Sequence, residues 1–166
     1  MSPSANRPQA PVLVGWKEYL DLPDLAIRGL KAKVDTGARS SALHVDEIVV
    51  LSEEPDGSGE LLLRLAPDRR HPEHRQEVRA HQIARIPVVD SGGHREIRPL
   101  IETTLVLGPV TKRIRLTLTD RSSMLFRMIL GRKSLEGSFV VDVGRKYLLG
   151  RPRRRRTAIR VPECSP

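Results

Sequence analysis

Residues 31–44 read KAKVDTGARSSALH, and this stretch decides the fold of the chain. An approach of alternating basic and apolar residues ends at Asp35, and Thr36, Gly37 and Ala38 follow. The preceding segment, LAIRGLKAKV (25–34), has the pattern of a β-strand, so Asp35 is predicted at a strand end. Asp35 is then either half of a catalytic pair or a turn residue, because aspartate followed closely by glycine is also common in turns.

The rest of the chain repeats short apolar runs separated by turn signals, which predicts an all-β fold. In RIRLTLT (113–119) alternate residues are apolar, so they share one face of a strand. The paired glycines of SGGHRE (91–96) predict the tip of a β-hairpin. A single helical turn is predicted in GRKSLEG (131–137), with Gly137 as its C-terminal stop.

The length of 166 residues predicts one domain with a single core. Hydrophobic residues make up 39% of the chain and charged residues 30%, as in an ordinary globular protein. Because aromatic residues make up only 3%, the core is expected to consist of Leu, Val and Ile. We expect a flexible N-terminus over residues 1–10, the domain over 11–150, a peripheral loop at 52–60 and a basic flexible tail over 151–166.

The charge of the chain predicts an anionic partner. A formal net charge of +9 and a pI near 10.5 suit nucleic acid, an anionic membrane surface or an acidic peptide. Cys164 is the single cysteine, so neither an intrachain disulfide nor a cysteine metal cluster can form, and a reducing cytoplasm is the expected location. Residues 1–10 lack the apolar centre of a signal peptide, and we expect no membrane association.

A second motif favours the catalytic interpretation of the Asp-Thr-Gly stretch. In FRMILGRKSL (126–135) two apolar residues precede Gly131 and the predicted helical turn, and the glycine-tipped hairpin lies between the two motifs. This order resembles that of the retropepsins, the single-domain aspartic proteases of retroviral type. KAKVDTGARSSALH, EIRPLIETTLVLG, IRLTLTDRSSMLFRMILGR and VVDV further resemble the bacterial and archaeal family labelled putative ATP-dependent zinc protease, to which RimB-type proteins belong. The resemblance covers nearly all of residues 12–150.

The resemblance implies a retropepsin-like barrel whose active site is completed by a homodimer. Peptide hydrolysis without a nucleophilic side chain needs one carboxylate as general base on water and one carboxylic acid to polarise the scissile carbonyl. Two aspartates about 3 Å apart share one proton and supply both. Because this chain has one such motif, Asp35 of a second copy is expected to complete the pair. Thr36 is expected to hydrogen-bond across the two-fold axis, and Gly37 to admit the substrate backbone.

The charges that flank Asp35 predict an acidic substrate. Lys33 is expected on the same side of its strand as Asp35. Arg39 stands where the retroviral enzymes have an acidic residue, so the ion pair that this residue would make with Arg132 is not available. RimB-type members are associated with RimK-type ligases, which add glutamate tails to a ribosomal protein, and are implicated in trimming those tails. The residues expected to bind substrate are Lys33, Ala38, Arg39, Ser40, His94, Arg98 and Arg132, with Arg95 extending the cationic lining.

Simpler interpretations of these residues remain open. Lys33 and Arg39 could be solvated charges at a strand edge. Three other arginines could serve only in ion pairs. These are Arg98, Arg127 and Arg132, with Glu96, Glu102, Asp120 and Asp142 as the expected partners.

No cofactor is expected. The chain has no GxxxxGK[ST] loop for a nucleotide, and Pro72 between His71 and His74 argues against a zinc site. His44 is either a ligand or substrate contact or a surface residue just past a strand. The basic tail RPRRRR (151–156) could make a weak contact with RNA phosphates, without an aromatic platform to support it.

The sequence therefore predicts an aspartic peptidase for glutamate-rich peptide, such as the tail of a ribosomal protein, with a homodimer and a RimK-type ligase as partners. One alternative is a dimeric module of the same fold that binds acidic tails or ribosomal RNA without catalysis. Another is a metallopeptidase.

Overall fold

The computed structural model describes residues 10–90 and 92–151. The predictions for the flexible N-terminus, for Cys164 and for the basic tail beyond residue 151 lie outside the described residues. The described part is all-β with one short α-helix, as predicted. Its strands are β1 (Val12–Gly15), β2 (Lys17–Leu22), β3 (Ile27–Asp35), β4 (Ser41–His44), β5 (Glu47–Glu53), β6 (Gly59–Leu65), β7 (Gln76–Val89), β8 (Arg95–Leu107), β9 (Val110–Thr119), β10 (Met128–Gly131) and β11 (Phe139–Asp142), and the helix is α1 (Arg132–Leu135).

Six of the strands close into a barrel. They follow the order β2-β3-β10-β4-β9-β8, and β8 returns to pair with β2 at Val106 and Asp21. Closure leaves these six strands without a free edge over the paired residues. A closed barrel is the architecture that the resemblance implied.

The barrel interior is aliphatic. Ile114, Leu116 and Leu118 of β9 are buried, which confirms the shared face predicted for them, and Thr117 and Thr119 on the other face are buried as well. The buried core cluster contains Leu, Ile, Val and Ala side chains and Met128, with Phe139 only packed against it. Each fully buried leucine contributes about 1.5–3 kcal/mol of transfer free energy. Many aliphatic side chains together therefore stabilise a core that has few aromatic ones.

Three more strands extend the sheet from β8. β7, β6 and β5 follow in antiparallel order, and β7 and β8 form the long hairpin whose tip was predicted around the paired glycines. The loop predicted at residues 52–60 is shorter than expected, because β5 continues to Glu53 and β6 starts at Gly59. Ser52 pairs with Glu60 and Glu53 with Gly59, so both ends of that polar segment belong to a hairpin ladder.

Two further elements frame the end of the barrel where Asp35 lies. β1 and β11 form a separate parallel pair, with Leu13 opposite Val140. α1 follows β10 directly, and Gly137 has a φ of +73°, the left-handed conformation expected of a helix stop. Among the described residues, no helix has the length and apolar character needed to cross a membrane.

Candidate active site

Asp35 lies at the meeting point of two parallel strands. It is the last residue of β3, and it pairs in register with Gly131, the last residue of β10. Parallel strands bring the same ends together, which is why two motifs almost a hundred residues apart in the chain become neighbours. The strand end predicted for Asp35 is therefore confirmed, and so is the link between the Asp-Thr-Gly and Gly-Arg motifs.

The backbone that follows Asp35 holds its carboxylate in place. Asp35 Oδ1 accepts hydrogen bonds from the N–H groups of Gly37 and Ala38, both at 3.1 Å. The side chain remains 26% exposed, so water can reach the carboxylate. This is the geometry of an Asx turn, and it orients a carboxylate that is still open to a reactant.

Gly131 is required by the close approach of this loop. A Cβ atom at position 131 would lie 2.5 Å from the carbonyl oxygen of Ser40 and 3.0 Å from that of Ala38. Gly131 also donates its N–H to Ser41 Oγ at 3.0 Å, and Ser41 Oγ shares a 2.7 Å hydrogen bond with Ser134 Oγ of α1. Strand β10, helix α1 and the Asp35 loop are thus one packed unit.

Arg132 fastens the same loop from the helix side. Its backbone N–H donates to Ala38 O at 2.9 Å, and its Nη1 donates to Thr36 O at 3.0 Å and Gly37 O at 3.3 Å. Arg132 has no carboxylate partner among the described residues, and its guanidinium instead stabilises the carbonyl groups of the active loop. A role in binding substrate stays a prediction for Arg132, as it does for the exposed residues Arg39 and Ser40.

Lys33 lies beside Asp35 as expected. Its Nζ is 3.2 Å from Asp35 Oδ2. Partial burial acts to raise the pKa of Asp35, but the hydrogen bond and charge of Lys33, together with the N–H donors of Ala38 and Gly37, outweigh it and hold the pKa below its ordinary value. In a single copy of the chain, Asp35 is therefore poised as a carboxylate.

A second positive charge near Asp35 comes from Arg121. Arg121, in the loop after β9, is half-buried; burial lowers its pKa, the charge of Arg98 lowers it further, and the charge of Asp35 raises it. Arg98, on β8, donates its Nε to Glu96 at 2.7 Å, which is one of the ion pairs considered for it, and its role in binding substrate stays a prediction. Sequence reasoning missed Arg121. The available signal was its place in TDRSSMLFRMILGR, the segment that leads into β10.

The structure supports neither role considered for His44, which were a ligand or substrate contact and a surface residue. His44 is the last residue of β4 and is buried, so the expected surface position is wrong. Its Nδ1 accepts the backbone N–H of Arg121 at 2.8 Å, and its Nε2 faces Asp46 Oδ1 at 3.0 Å. Because Nδ1 is an acceptor, the proton resides on Nε2 and is donated to Asp46. With both nitrogens engaged, His44 serves to anchor the loop that carries Arg121.

Arg127 also differs from its expected pairing. Its nearest carboxylate contact is Asp46, with Nη1 and Oδ1 3.7 Å apart, and none of the four predicted acidic partners pairs with it in the described part of the chain. Its Nε and Nη1 are buried without a hydrogen-bond partner among those residues. Arg127 and His44 therefore share one carboxylate beneath the loop of residues 120–127.

The hairpin tip carries the remaining predicted residues. Asp90 Oδ1 accepts the N–H groups of Gly92 and His94 at 2.8 and 2.9 Å. His94 and Arg95 are exposed, and so are the apolar side chains of Val89 and Ile97 beside them. The hairpin is confirmed, and contact of His94 with a substrate stays a prediction.

His71 and His74 lie closer together than the proline between them, Pro72, suggested. Ligand atoms of His71, Glu73 and His74 lie within 4.8 Å of one another, and all three residues are exposed. His71 Nδ1 and Glu73 Oε1 form an ion pair at 3.0 Å, and the two imidazoles stack with their centroids 5.2 Å apart. These contacts account for the grouping.

Known proteins resemble this chain over most of its length. A crystal structure of the Legionella pneumophila protein Lpg0085, described as of unknown function, superimposes with a TM-score of 0.63 over 83% of this chain and 98% of the other, at 24% identity, and so supports the fold. Three curated relatives are named probable alpha-L-glutamate ligase. They come from Parasynechococcus marenigrum, Desulfotalea psychrophila and Shewanella pealeana, with 36%, 33% and 30% identity over 146, 144 and 138 residues.

These relatives are much longer than the present chain. The matches cover 83–84% of this chain but only 29–30% of each relative. Residues 13–152 match the family model RimB-like, described as retropepsin-like aspartic endopeptidase RimB, and this range contains both sequence motifs of the site. The zinc and ATP dependence in the label considered above find no support in that description. The chain belongs to the RimB-like family.

Proposed function

We propose that this protein is an aspartic peptidase that hydrolyses glutamate-rich peptide, with Asp35 from two copies of the chain acting on one water molecule. The observation that carries the proposal is the carboxylate of Asp35, oriented by two backbone N–H groups, open to solvent and close to the cations of Lys33 and Arg121. A carboxylate fixed in this way is suited to remove a proton from water as the water attacks the scissile carbonyl.

The second carboxylate would come from a second copy. When two Asp35 carboxylates approach to about 3 Å, their repulsion raises one pKa, so that one is protonated and can polarise the carbonyl. Lys33 favours the ionised form of each aspartate, so the proton would be shared against this bias. The general base and the general acid are then the same residue in two protonation states.

The surface around the loop supports association of two copies. A hollow of about 240 Å³ beside Thr36 is lined by Leu135, Phe139 and Val141. Leu13, Val140 and Val143 lie on the nearby β1–β11 pair and the turn after it, and 43%, 52% and 78% of their respective areas are exposed. Apolar side chains exposed next to an incomplete catalytic centre are suited to a subunit interface.

The cations favour an acidic substrate. Lys33 lies 3.2 Å from Asp35, and Arg121 comes from another element near enough for its charge to interact with that of Asp35. Glutamate side chains would pair with them, which an apolar peptide could not do. Relatives named glutamate ligase carry a similar segment within a longer chain, which is consistent with a peptidase that removes what a RimK-type ligase adds, including the glutamate tail of a ribosomal protein.

The test compares Asp35→Asn with Asp56→Asn, a control aspartate in the β5–β6 turn. We expect the D35N variant to lose about 10²–10⁴-fold or more of the rate on a glutamate-rich peptide, because general acid–base catalysis is removed while the side-chain shape is kept. The D56N variant should hydrolyse the peptide like the wild type. Sedimentation of the wild type should show a dimer under the assay conditions.

The same assay separates the two alternative functions. If wild type and D35N both bind the peptide and neither cleaves it, the chain is a binding module. If D35N keeps the wild-type rate, the aspartic mechanism is wrong, and activity that is lost with a chelator and restored by zinc would identify a metallopeptidase.

A further inference from the structure

The outer face of β2 and β3 carries a row of cations that starts at Asp35. Lys33 pairs with Lys17 across the two strands, and Lys31 pairs with Tyr19 one step further from the site. Because side chains two residues apart share a face, Asp35, Lys33 and Lys31 point to the same side of β3, while Leu30, Ala32 and Val34 point into the core. Positive charge therefore continues beyond the catalytic centre along the barrel wall.

Aromatic rings hold these cations in place. Lys17 Nζ lies 4.4 Å from the centroid of Trp16 and 5.3 Å from that of Tyr147. Tyr147 stacks on Tyr19 at 4.8 Å. Lys31 Nζ and Arg151 Cζ lie 5.7 and 5.3 Å from the centroid of Tyr19. Four of the five aromatic residues of the chain belong to this group, since Phe126 also faces Lys17 at 5.9 Å. Cation–π contacts restrict the positions of long side chains without neutralising them.

The backbone fastens the C-terminal part of this surface to the barrel. Trp16 N–H donates to Arg145 O, and Tyr147 N–H donates to Lys17 O, both at 2.9 Å. The buried carboxylate of Glu18 accepts the N–H of Leu148 at 2.8 Å. The segment around Tyr147 is thus fastened to the barrel, and Arg151 lies over the ring of Tyr19 from the end of that segment.

The cations of this row are available to a ligand. Lys17, Lys31 and Arg151 form no ion pair with any carboxylate of the described residues, whereas most arginines of β7–β9 that line the sheet do. Asp21, further along the same face of β2, already accepts the N–H of Gly29 at 2.7 Å. An anion would therefore find three uncompensated positive charges in a row.

We propose that Lys17, Lys31 and Arg151 form a distal subsite for the acidic chain, which holds glutamate side chains several residues from the scissile bond. This inference rests on the proposed function and adds where the rest of the substrate lies. Lys31 is four residues from Asp35, a separation of about 13 Å at about 3.3 Å per residue. Side chains on one side of an extended peptide repeat at about the same spacing as Lys33 and Lys31, so alternate glutamates can meet successive cations.

The geometry favours a peptide over single-stranded nucleic acid. Bases would stack on open ring faces. Here Tyr19 and Tyr147 cover each other, and cations lie over the rings of Trp16 and Tyr19. The rings hold the cations in position, and the cations can then bind carboxylates.

The experiment measures binding in the D35N background, where no turnover occurs. The test variant replaces Lys17, Lys31 and Arg151 by Gln. The control variant replaces Arg70, Arg75 and Arg79 by Gln, so that both lose three charges and the same long-range attraction. The probes are fluorescent oligoglutamates with about two and about eight residues on each side of the cleavable bond, since about four are needed to reach Lys31.

We expect the test variant to bind the long peptide about tenfold more weakly than the control variant, as the loss of three exposed ion pairs implies, with a smaller difference for the short peptide. Equal binding of the long peptide by the two variants would overturn the proposal. So would a selective loss of binding to single-stranded RNA, with peptide binding retained. Cleavage by the wild type is assayed separately, so a failure of the peptidase function is distinguishable from a failure of the subsite.

Discussion

The Asp35 loop and the hairpin tip use the same local chemistry for different ends. In both, an aspartate Oδ1 accepts two backbone N–H groups just beyond it, from Gly37 and Ala38 in one case and from Gly92 and His94 in the other. The Asp35 loop is also packed against β10 and α1, and Lys33 pairs with its free oxygen. The turn motif alone therefore does not make a site; its surroundings do.

Among the described residues, the tip around Asp90 is held by local hydrogen bonds. Its described hydrogen bonds run between Asp90, Gly92, Gly93 and His94. A segment held mainly by local bonds opens at a low free-energy cost, as an element that must admit a substrate requires. The same aspartate turn is packed against two other elements at Asp35 and is held by local hydrogen bonds among the described residues at Asp90.

The largest effect is expected from Gly131→Ala compared with Gly92→Ala. The new Cβ at position 131 would meet the Ser40 carbonyl at 2.5 Å, whereas the one at position 92 would meet the flexible side chain of Asp90 at 3.2 Å. We expect G131A to lower the free energy of unfolding by about 1–3 kcal/mol through overpacking. G92A should stay within about 0.5 kcal/mol. Urea denaturation measures both, and equal losses would contradict the difference between the two turns.

A smaller loss is expected from Arg132→Ala. The change removes the side-chain donor to the carbonyl oxygens of Thr36 and Gly37. The described contacts of the hairpin tip include no donor of this kind. We expect a loss of about 0.5–1.5 kcal/mol in the free energy of unfolding and a lower kcat, because the loop then samples other positions. Lys133→Ala, at the next and also exposed helix position, is the control. If R132A keeps the wild-type kcat, the arginine does not position the active loop.

The smallest change is expected in pH dependence, from Lys33→Gln. Loss of the Lys33 charge and hydrogen bond removes the main influence that lowers the pKa of Asp35, so this pKa rises. The catalytic base must be ionised, so the acid limb of the kcat/KM profile should move to higher pH. Lys112→Gln, a lysine that bonds to Glu136 O, is the control. An acid limb that stays in place would show that the pair does not control the ionisation of Asp35.

The depressed pKa of Asp35 also makes the free energy of unfolding depend on pH. Because the pKa of Asp35 is depressed in the folded chain, the ion pair stabilises the fold above the unfolded-state pKa, and this contribution is lost as the pH falls through the folded-state value. In the K33Q variant this acid-dependent part of the unfolding free energy should shrink.

Several local features could be read from the chain alone. The strand before Asp35, the glycine-tipped hairpin, the alternation along β9 and the short helix ended by Gly137 all follow from periodicity and turn chemistry, which depend on neighbours in sequence. The place of Lys33 beside Asp35 followed from the two-residue period of a strand.

Features that depend on contacts between distant segments were missed or misplaced. His44 was considered as a ligand or substrate contact or as a surface residue just past a strand, but it is buried and bonded to Asp46 and to the loop after β9. Arg127 pairs with Asp46, which is more than eighty residues away and outside the set of partners considered. The place of Arg121 in the segment before β10 does not by itself give its position, because only the route of its loop brings its charge near Asp35.

The sequence by itself determined the class of strands, the Asp-Thr-Gly turn and the charge of the surroundings, because propensity, turn geometry and formal charge are properties of short segments. Only the tertiary structure decided which of the many cations lie near Asp35 and which form ion pairs with other carboxylates. It also joined four of the five aromatic residues into a support for Lys17, Lys31 and Arg151. Such groupings depend on strand register and barrel closure, which the pattern of a single segment does not specify.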